Sequence, residues 1–248
     1  MYDSTKFLPA GDSSIFMEFG NSISPKINAK IRNMVKGIET SAIKGITELL
    51  PTYRSIQIMY NPLEIEYDEL VKALKGLESS IPEGDAGDYR IVEIPTLYGG
   101  EYGPDIKFVA EHNKISVEEV IKIHTSTDYL LYMLGFTPGF GYLGGMSEKI
   151  ATPRLKTPRT KIPAGAAGIA GTQTGIYPID SPGGWQLIGR TPVKMYDPLG
   201  EPPILLRAGD YVRFVSITEE EYFKIQKLAE QRKYKVNIII NGEVRSHE

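Results

Sequence analysis

The chain has 248 residues and a net charge of −3, with 41% hydrophobic residues, 24% charged residues and no cysteine. This length makes one large domain or two small ones, with a core that needs no covalent staples. The missing cysteine excludes disulfides, thiolate metal sites and a cysteine nucleophile, and the acidic balance argues against nonspecific nucleic-acid binding.

The opening MYDSTKFLPAGDSS lacks the basic start and apolar core of a secretory signal. No stretch approaches the ~18 apolar residues of a membrane span. A cytoplasmic location is expected from these features together. Ser14 to Phe19 reads as a strand ending at Gly20. Ser24-Pro25 reads as an N-cap with proline at the first helical position, and Ile27, Ile31, Met34, Val35 and Ile38 follow at helical spacing. Strands are expected over Ile46 to Leu50 and Tyr53 to Tyr60, with Pro51 between them, and a second amphipathic helix over Tyr67 to Leu77. This order suits a small α/β sandwich over residues 1–84.

Ile81 to Asp88, IPEGDAGD, has turn residues and charge but no period, and marks a domain boundary. A second domain is expected over residues 89–245. It opens with a strand, Tyr89 to Pro95, and continues with a helix capped by Ser116 and Glu119 that runs to about His124. Tyr129 to Leu134 is a strand. Short strands are expected at Gln186 to Ile188, Val193 to Tyr196, Ile204 to Leu206 and Tyr211 to Val215. Thr218 and Glu221 cap a last helix to about Arg232, and a hairpin turning at Asn241-Gly242 ends the domain. Closely spaced short strands point to a nearly closed barrel. The expected fold class is therefore α+β, a small N-terminal α/β sandwich plus a C-terminal β-barrel.

Between Tyr129 and these last strands lies the most unusual stretch. Gly135 to Arg190 holds 12 of the 25 glycines, 6 of the 17 prolines and the single tryptophan, Trp185, and carries a net charge of +4. Such glycine density is costly in backbone entropy unless close approach or positive φ is required. Loop-rich stretches of this length within a domain are usually sites, and a cationic island on an acidic chain suits a small anionic ligand.

Each motif in it has two readings. Phe136, Phe140 and Tyr142 are either aromatic walls for a flat or acyl substrate or plugs of a structural loop. Arg154 and Arg159, each after a proline, offer forks for carboxylate or phosphate, although a solvated basic loop is the commoner fate. Gln173, Thr174 and Tyr177 follow the glycines Gly165, Gly168 and Gly171, which either admit a ligand or bend a barrel corner. Trp185 is more often core than platform. His124, at the end of its helix, is an acid–base candidate or a stabiliser of that helix end. No spacing resembles a metal site, and no G-x-S-x-G elbow marks a serine nucleophile.

Read together, GFTPGFGYL, two PR pairs, PAGAAGIAGTQTGIYP and SPGGWQLIGRTP, in this order between Tyr129 and Pro198, resemble the signature of the KipI / allophanate hydrolase subunit 1 family. The likeness extends loosely to Gly11 to Phe19 and over the whole chain. Bacterial members of that family are mostly regarded as the B component (PxpB) of the prokaryotic 5-oxoprolinase. The resemblance implies that the barrel is cyclophilin-like. It implies PxpC/KipA-type and PxpA-type subunits as partners, and ATP-dependent opening of the 5-oxo-L-proline lactam to glutamate by the complex. ATP would be a cofactor of that complex, since the chain has no ATP-grasp, P-loop or biotin-attachment pattern, and the chain alone is expected to be nearly inactive. The expected site has His124, Arg154 and Arg159 as catalytic candidates. Phe136, Phe140, Gln173, Thr174, Tyr177 and Trp185 are its substrate-binding candidates. Other members suggest an inhibitor of a sensor histidine kinase or a urea carboxylase-related subunit, and the barrel type suggests a prolyl isomerase, a reading that fold alone does not carry.

Overall fold

The computed structural model describes residues 2–81, 89–240 and 243–246, the last four by their backbone. The chain divides into two compact units, Met1–Gly87 and Asp88–Glu248. The segment 82–88, which contains most of the expected boundary, and the turn at Asn241-Gly242 lie outside the described residues.

The first unit contains β1 (Lys6–Pro9), β2 (Ser14–Glu18), α1 (Pro25–Ser41), β3 (Ile46–Pro51), β4 (Ser55–Tyr60) and α2 (Tyr67–Ser80). Its strands form one antiparallel sheet in the order β1-β2-β4-β3. Ile15 and Met17 of β2, Ile56 and Ile58 of β4, and the α1 residues Ile27, Ile31, Met34 and Ile38 are buried in a single core with Leu70 and Leu74 of α2. Each such side chain contributes about 1.5–3 kcal/mol of burial. Two local details differ from expectation. Ser24 occupies the N-cap of α1, but its side chain makes no capping bond, so Pro25 alone marks that start. Pro51 ends β3 instead of separating two strands.

The second unit contains β5 (Arg90–Tyr98), α3 (Ile106–Asn113), α4 (Val117–Thr125), β6 (Asp128–Leu134), β7 (Gly141–Gly144), a short 3-10 turn at Glu148–Ile150, β8 (Arg159–Ile162), β9 (Ala166–Ala170), β10 (Gln173–Ile176), β11 (Ser181–Gly183), β12 (Gln186–Arg190), β13 (Tyr211–Ser216), α5 (Glu219–Glu230), β14 (Asn237–Ile240) and β15 (Glu243–Ser246). The main sheet runs β10-β9-β12-β5-β13-β6-β7, with β14 also on β5 and β15 on β14. Among the described residues only the β5–β13 pair is parallel. The two ends of this path meet: a Cβ on Gly175 of β10 would lie 3.6 Å from the Gly141 carbonyl oxygen of β7. The sheet is thus a nearly closed barrel. Val92, Ile94, Leu131, Ile169, Ile188 and Phe214 fill it, with Val109 and Val120 from the helices. Both halves of the capping box form at Thr218 and Glu221. At Ser116 the side chain accepts from the Glu119 N–H.

Two expectations fail here. Val193 to Tyr196 and Ile204 to Leu206 form no strand; only Tyr196 and Ile204 pair, in an isolated bridge. Pro192, Pro198, Pro202 and Pro203 withhold donors that a ladder would need. Conversely, the part of the glycine-rich stretch read as loop carries the strands β7 to β11, while β12 contains the expected strand Gln186 to Ile188. The five unexpected strands run three to five residues each, too short for an alternation to stand out.

Candidate functional site

The glycine-rich stretch builds two different environments on the two faces of one hairpin. On β9, Ala167 and Ile169 point into the barrel core, while Ala166 and Ala170 join a small outer cluster with Ile162, Tyr177, Trp185 and Leu187. This is the period of two expected of a strand. Gly168 and Gly175 lie on that outer face. A Cβ on Gly175 would stand 3.2 Å from the Trp185 ring, and one on Gly168 would stand 3.2 Å from the Trp185 Cβ. These glycines therefore clear the sheet for tryptophan. Gly171, with φ +60°, turns the two-residue loop between β9 and β10.

Aromatic rings complete the outer cluster. Phe140 meets Tyr177 edge-on at 5.7 Å and Trp185 at 5.8 Å, and Tyr177 meets Trp185 at 6.0 Å. Phe140 is delivered by a tight turn. Its N–H donates to the Thr137 carbonyl at 3.0 Å, and Gly139 has φ +80° after Pro138, the geometry of a type II turn. Phe136, on the same loop, is 99% exposed. The structure thus separates two residues of similar type: Phe140 packs, and Phe136 projects into solvent.

The basic segment covers this cluster. Arg159 donates to the Asp105 carboxylate at 2.7 Å and to the Trp185 carbonyl at 3.3 Å. The other Asp105 oxygen accepts from the Leu187 N–H at 2.7 Å. Asp105, the N-cap of α3, thereby ties β8 and β12 together. Arg154 is exposed. Burial pushes the Tyr177 hydroxyl above its ordinary pKa, while the Trp185 backbone and the charges of Arg154 and Arg159 pull the other way. Arg154 and Arg159 therefore both act on Tyr177, but Arg159 already has an anionic partner. Gln173, partly exposed, opens β10 at the hairpin.

His124 and Thr174 are placed inside the barrel, away from the arginines. His124 is fully buried. Its Nε2 lies 2.8 Å from Thr174 Oγ1, and Thr174 donates its own proton to the Gly168 carbonyl at 3.0 Å. Thr174 must then accept, so Nε2 carries the imidazole proton. Nδ1 accepts from the Tyr98 hydroxyl at 2.7 Å. Burial pushes the His124 pKa down to about 3. A neutral ring lends no charge to the end of α4, and protein groups occupy both nitrogens.

Two clefts open beyond the far end of β12. One, of about 470 Å³, lies between Ala164–Gly165, Pro178 to Asp180, Arg190 to Lys194 and the α5 residues Tyr222, Gln226 and Glu230. The second, of about 430 Å³, is lined by Leu199 to Pro203 with Arg232, Tyr234 and Lys235. Between them stands Asp197, which accepts two bonds from Arg232, at 2.8 and 3.1 Å, and lies 3.4 Å from Lys194. The Arg232 bonds, the Leu199 N–H and Lys194 hold its carboxyl well below the usual range. Sequence reasoning placed no candidate in these clefts. Their walls come from irregular residues 191–205 and from a helix about 30 residues later, and no local spacing announces that meeting.

The described clefts do not fit a nucleotide triphosphate. The first carries Arg190 and Lys194 against Asp180, Asp197 and Glu230. In the second, Asp197 takes up Lys194 and Arg232, which leaves Lys235 against Glu201. Phosphate sites concentrate free donors and positive charge instead. Among the described residues no cluster could hold a metal ion, and no helix is long and apolar enough to cross a membrane.

The glycine-rich signature has its counterpart in other proteins. The family model described as "Carboxyltransferase domain, subdomain C and D" matches residues 5–206. The chain belongs to this family. Two relatives, each named as the B component of 5-oxoprolinase, match along most of its length. That of Bacillus subtilis is 47% identical over 86% of this chain and 92% of its own, and that of Escherichia coli O157:H7 is 38% identical over 83% and 93%. The Kluyveromyces lactis urea carboxylase structure shares the fold across 98% of this chain and 24% of its own, with a TM-score of 0.75 at 24% identity. Family membership thus accords with the signature between Tyr129 and Pro198, and the barrel has a solved counterpart.

Proposed function

We propose that this chain is the B component of a 5-oxoprolinase, the enzyme that opens the lactam of 5-oxo-L-proline to glutamate. One observation carries this reading: relatives of that name match it across more than nine-tenths of their own length at 38–47% identity. The reaction adds water across a resonance-stabilised amide; ATP bound in the complex would supply the activation, its γ-phosphoryl group passing to the lactam oxygen with release of ADP and leaving as phosphate when water opens the ring. PxpA-type and PxpC/KipA-type subunits complete the assembly that uses ATP.

The role left to this chain is binding and orientation. A rigid barrel with short, hydrogen-bonded hairpins presents fixed groups, which is what positioning requires. Arg154, exposed and near enough to act on Tyr177 electrostatically, is the group of this chain proposed to meet charge that a partner subunit brings. The isolated chain is expected to be nearly inactive. The test is to purify the chain with its PxpA-type and PxpC-type partners and assay glutamate release from 5-oxo-L-proline, with and without ATP. ATP-dependent glutamate formation by the full assembly and none by the single chain supports the reading. A folded, complete assembly without that activity overturns it.

A further inference from the structure

Arg190 is the last residue of β12 and is held on both sides, by Leu97 of β5 and Ala166 of β9. Its Nε donates to the Ala164 carbonyl at 2.9 Å, which fixes the plane of the guanidinium. Among the described residues its terminal nitrogens take no carboxylate and no further hydrogen bond. They face a cleft of about 470 Å³, a size typical of small-molecule sites. The other charges of that cleft are mostly committed. Asp180 is bound by Lys161 at 2.8 Å and by the Ala164 N–H at 2.8 Å. Asp197 is shared by Lys194 and Arg232. Glu230 stands on the α5 wall. The Arg190 charge still reaches two groups of the cleft. Burial raises the pKa of the Tyr222 hydroxyl and Arg190 opposes that rise, while Asp180, held low first by its bond from Lys161, is lowered further by Arg190.

We infer that this cleft binds a small monocarboxylate, with the terminal nitrogens of Arg190 as its fork. A guanidinium held by its Nε and open at its two ends is the arrangement that grips a planar carboxylate through parallel bonds. The balance of charge selects the ligand class. With Lys161 on Asp180, and Lys194 and Arg232 on Asp197, the charged groups around the cleft (with Arg190 and Glu230) sum to one positive charge, which one carboxylate cancels and a doubly charged phosphate exceeds. Gln226 and Tyr196, on facing walls, offer neutral polar partners for the rest of the molecule. This deepens the oxoprolinase reading and rests on it for the choice of ligand, since 5-oxo-L-proline is a small monocarboxylate.

The experiment has two arms. In the first, the isolated chain is titrated calorimetrically with 5-oxo-L-proline, L-glutamate and inorganic phosphate. Saturable binding of 5-oxo-L-proline is expected, weakened about 10- to 100-fold by Arg190→Gln, the loss of one charge-assisted pair. Gln226→Trp, which fills the cleft from the helix side without touching the Arg190–Ala164 bond, should abolish it. Arg190-dependent binding of phosphate in preference to the carboxylates overturns the ligand class. In the second arm, Arg190→Gln in the assembled enzyme should raise KM for 5-oxo-L-proline at least about tenfold. An unchanged KM, or equal binding by wild type and both variants, overturns the site while leaving the oxoprolinase reading intact. Arg190-dependent carboxylate binding by a chain whose full assembly releases no glutamate keeps the site and overturns the reading.

Discussion

His124 shows how far a single side chain can move between roles once its neighbours are known. Histidine at the end of a helix suggests a proton-transfer group or a favourable charge. In the barrel it is a neutral spacer in a chain of bonds from Tyr98 through the ring to Thr174 and the Gly168 carbonyl. That arrangement has a measurable consequence. An unfolded imidazole takes up its proton near pH 6.5, whereas the folded one does so only near 3. The folded pKa is depressed, so the contribution of His124 is fully present above pH 6.5 and is lost as pH falls toward 3. The slope is about 1.4 kcal/mol per pH unit. Between pH 7.5 and 5.0, wild type should therefore lose about 2 kcal/mol more stability than His124→Gln, as read from urea denaturation. The variant should itself be about 1–3 kcal/mol less stable at pH 7.5, because Tyr98 and Thr174 lose matched partners. An identical pH dependence in the two proteins would mean that the native ring takes up its proton as readily as the unfolded one.

Elements are joined by a second polar link, the Arg159–Asp105 pair, which fastens β8 to the start of α3 and, through Leu187, to β12. From the sequence, Arg154 and Arg159 are twins, each following a proline on a basic loop. The structure makes them unequal, and stability should show it. Arg159→Ala leaves a mostly buried carboxylate with one partner fewer and should cost about 1–3 kcal/mol. Arg154→Ala, an exposed change, should stay within about 0.5 kcal/mol. Asp105→Ala combined with Arg159→Ala should cost less than the two single changes together, since both break one link. Equal effects of Arg154→Ala and Arg159→Ala on the urea midpoint would contradict the pairing. This contrast marks where sequence reasoning stops. Helix α1 was legible because Ile27, Ile31, Met34 and Ile38 repeat at helical spacing, and the capping box at Thr218 and Glu221 because its partners are three residues apart. The partner of Arg159 is 54 residues away, and Thr174, which meets the His124 ring, is 50 residues from it. Such pairings are set by topology, and topology is not written locally. The irregular stretch Val193 to Leu206 misled for a related reason: its apolar residues look like strands, but the prolines between them deny the ladder.

At the scale of the whole molecule, the two largest cores among the described residues share no residue. One gathers side chains from Ile15 to Leu74, the other from Val92 to Ile238. Each core is drawn wholly from one of the compact units. Units with private cores unfold as separate cooperative transitions when the free energy coupling them is small. The single tryptophan, Trp185, lies in the second unit, so its fluorescence follows that unit, while far-ultraviolet circular dichroism follows both. Ile58, fully buried in the first core, supplies the perturbation. Ile58→Ala should destabilise the first unit by about 2–5 kcal/mol, which shifts an early part of the dichroism transition to lower urea. The Trp185 midpoint should stay where it is in wild type. A Trp185 midpoint that falls together with the dichroism would show instead that the two cores melt as one. In that event the destabilisation read for His124 and Arg159 variants belongs to the whole chain and not to the barrel.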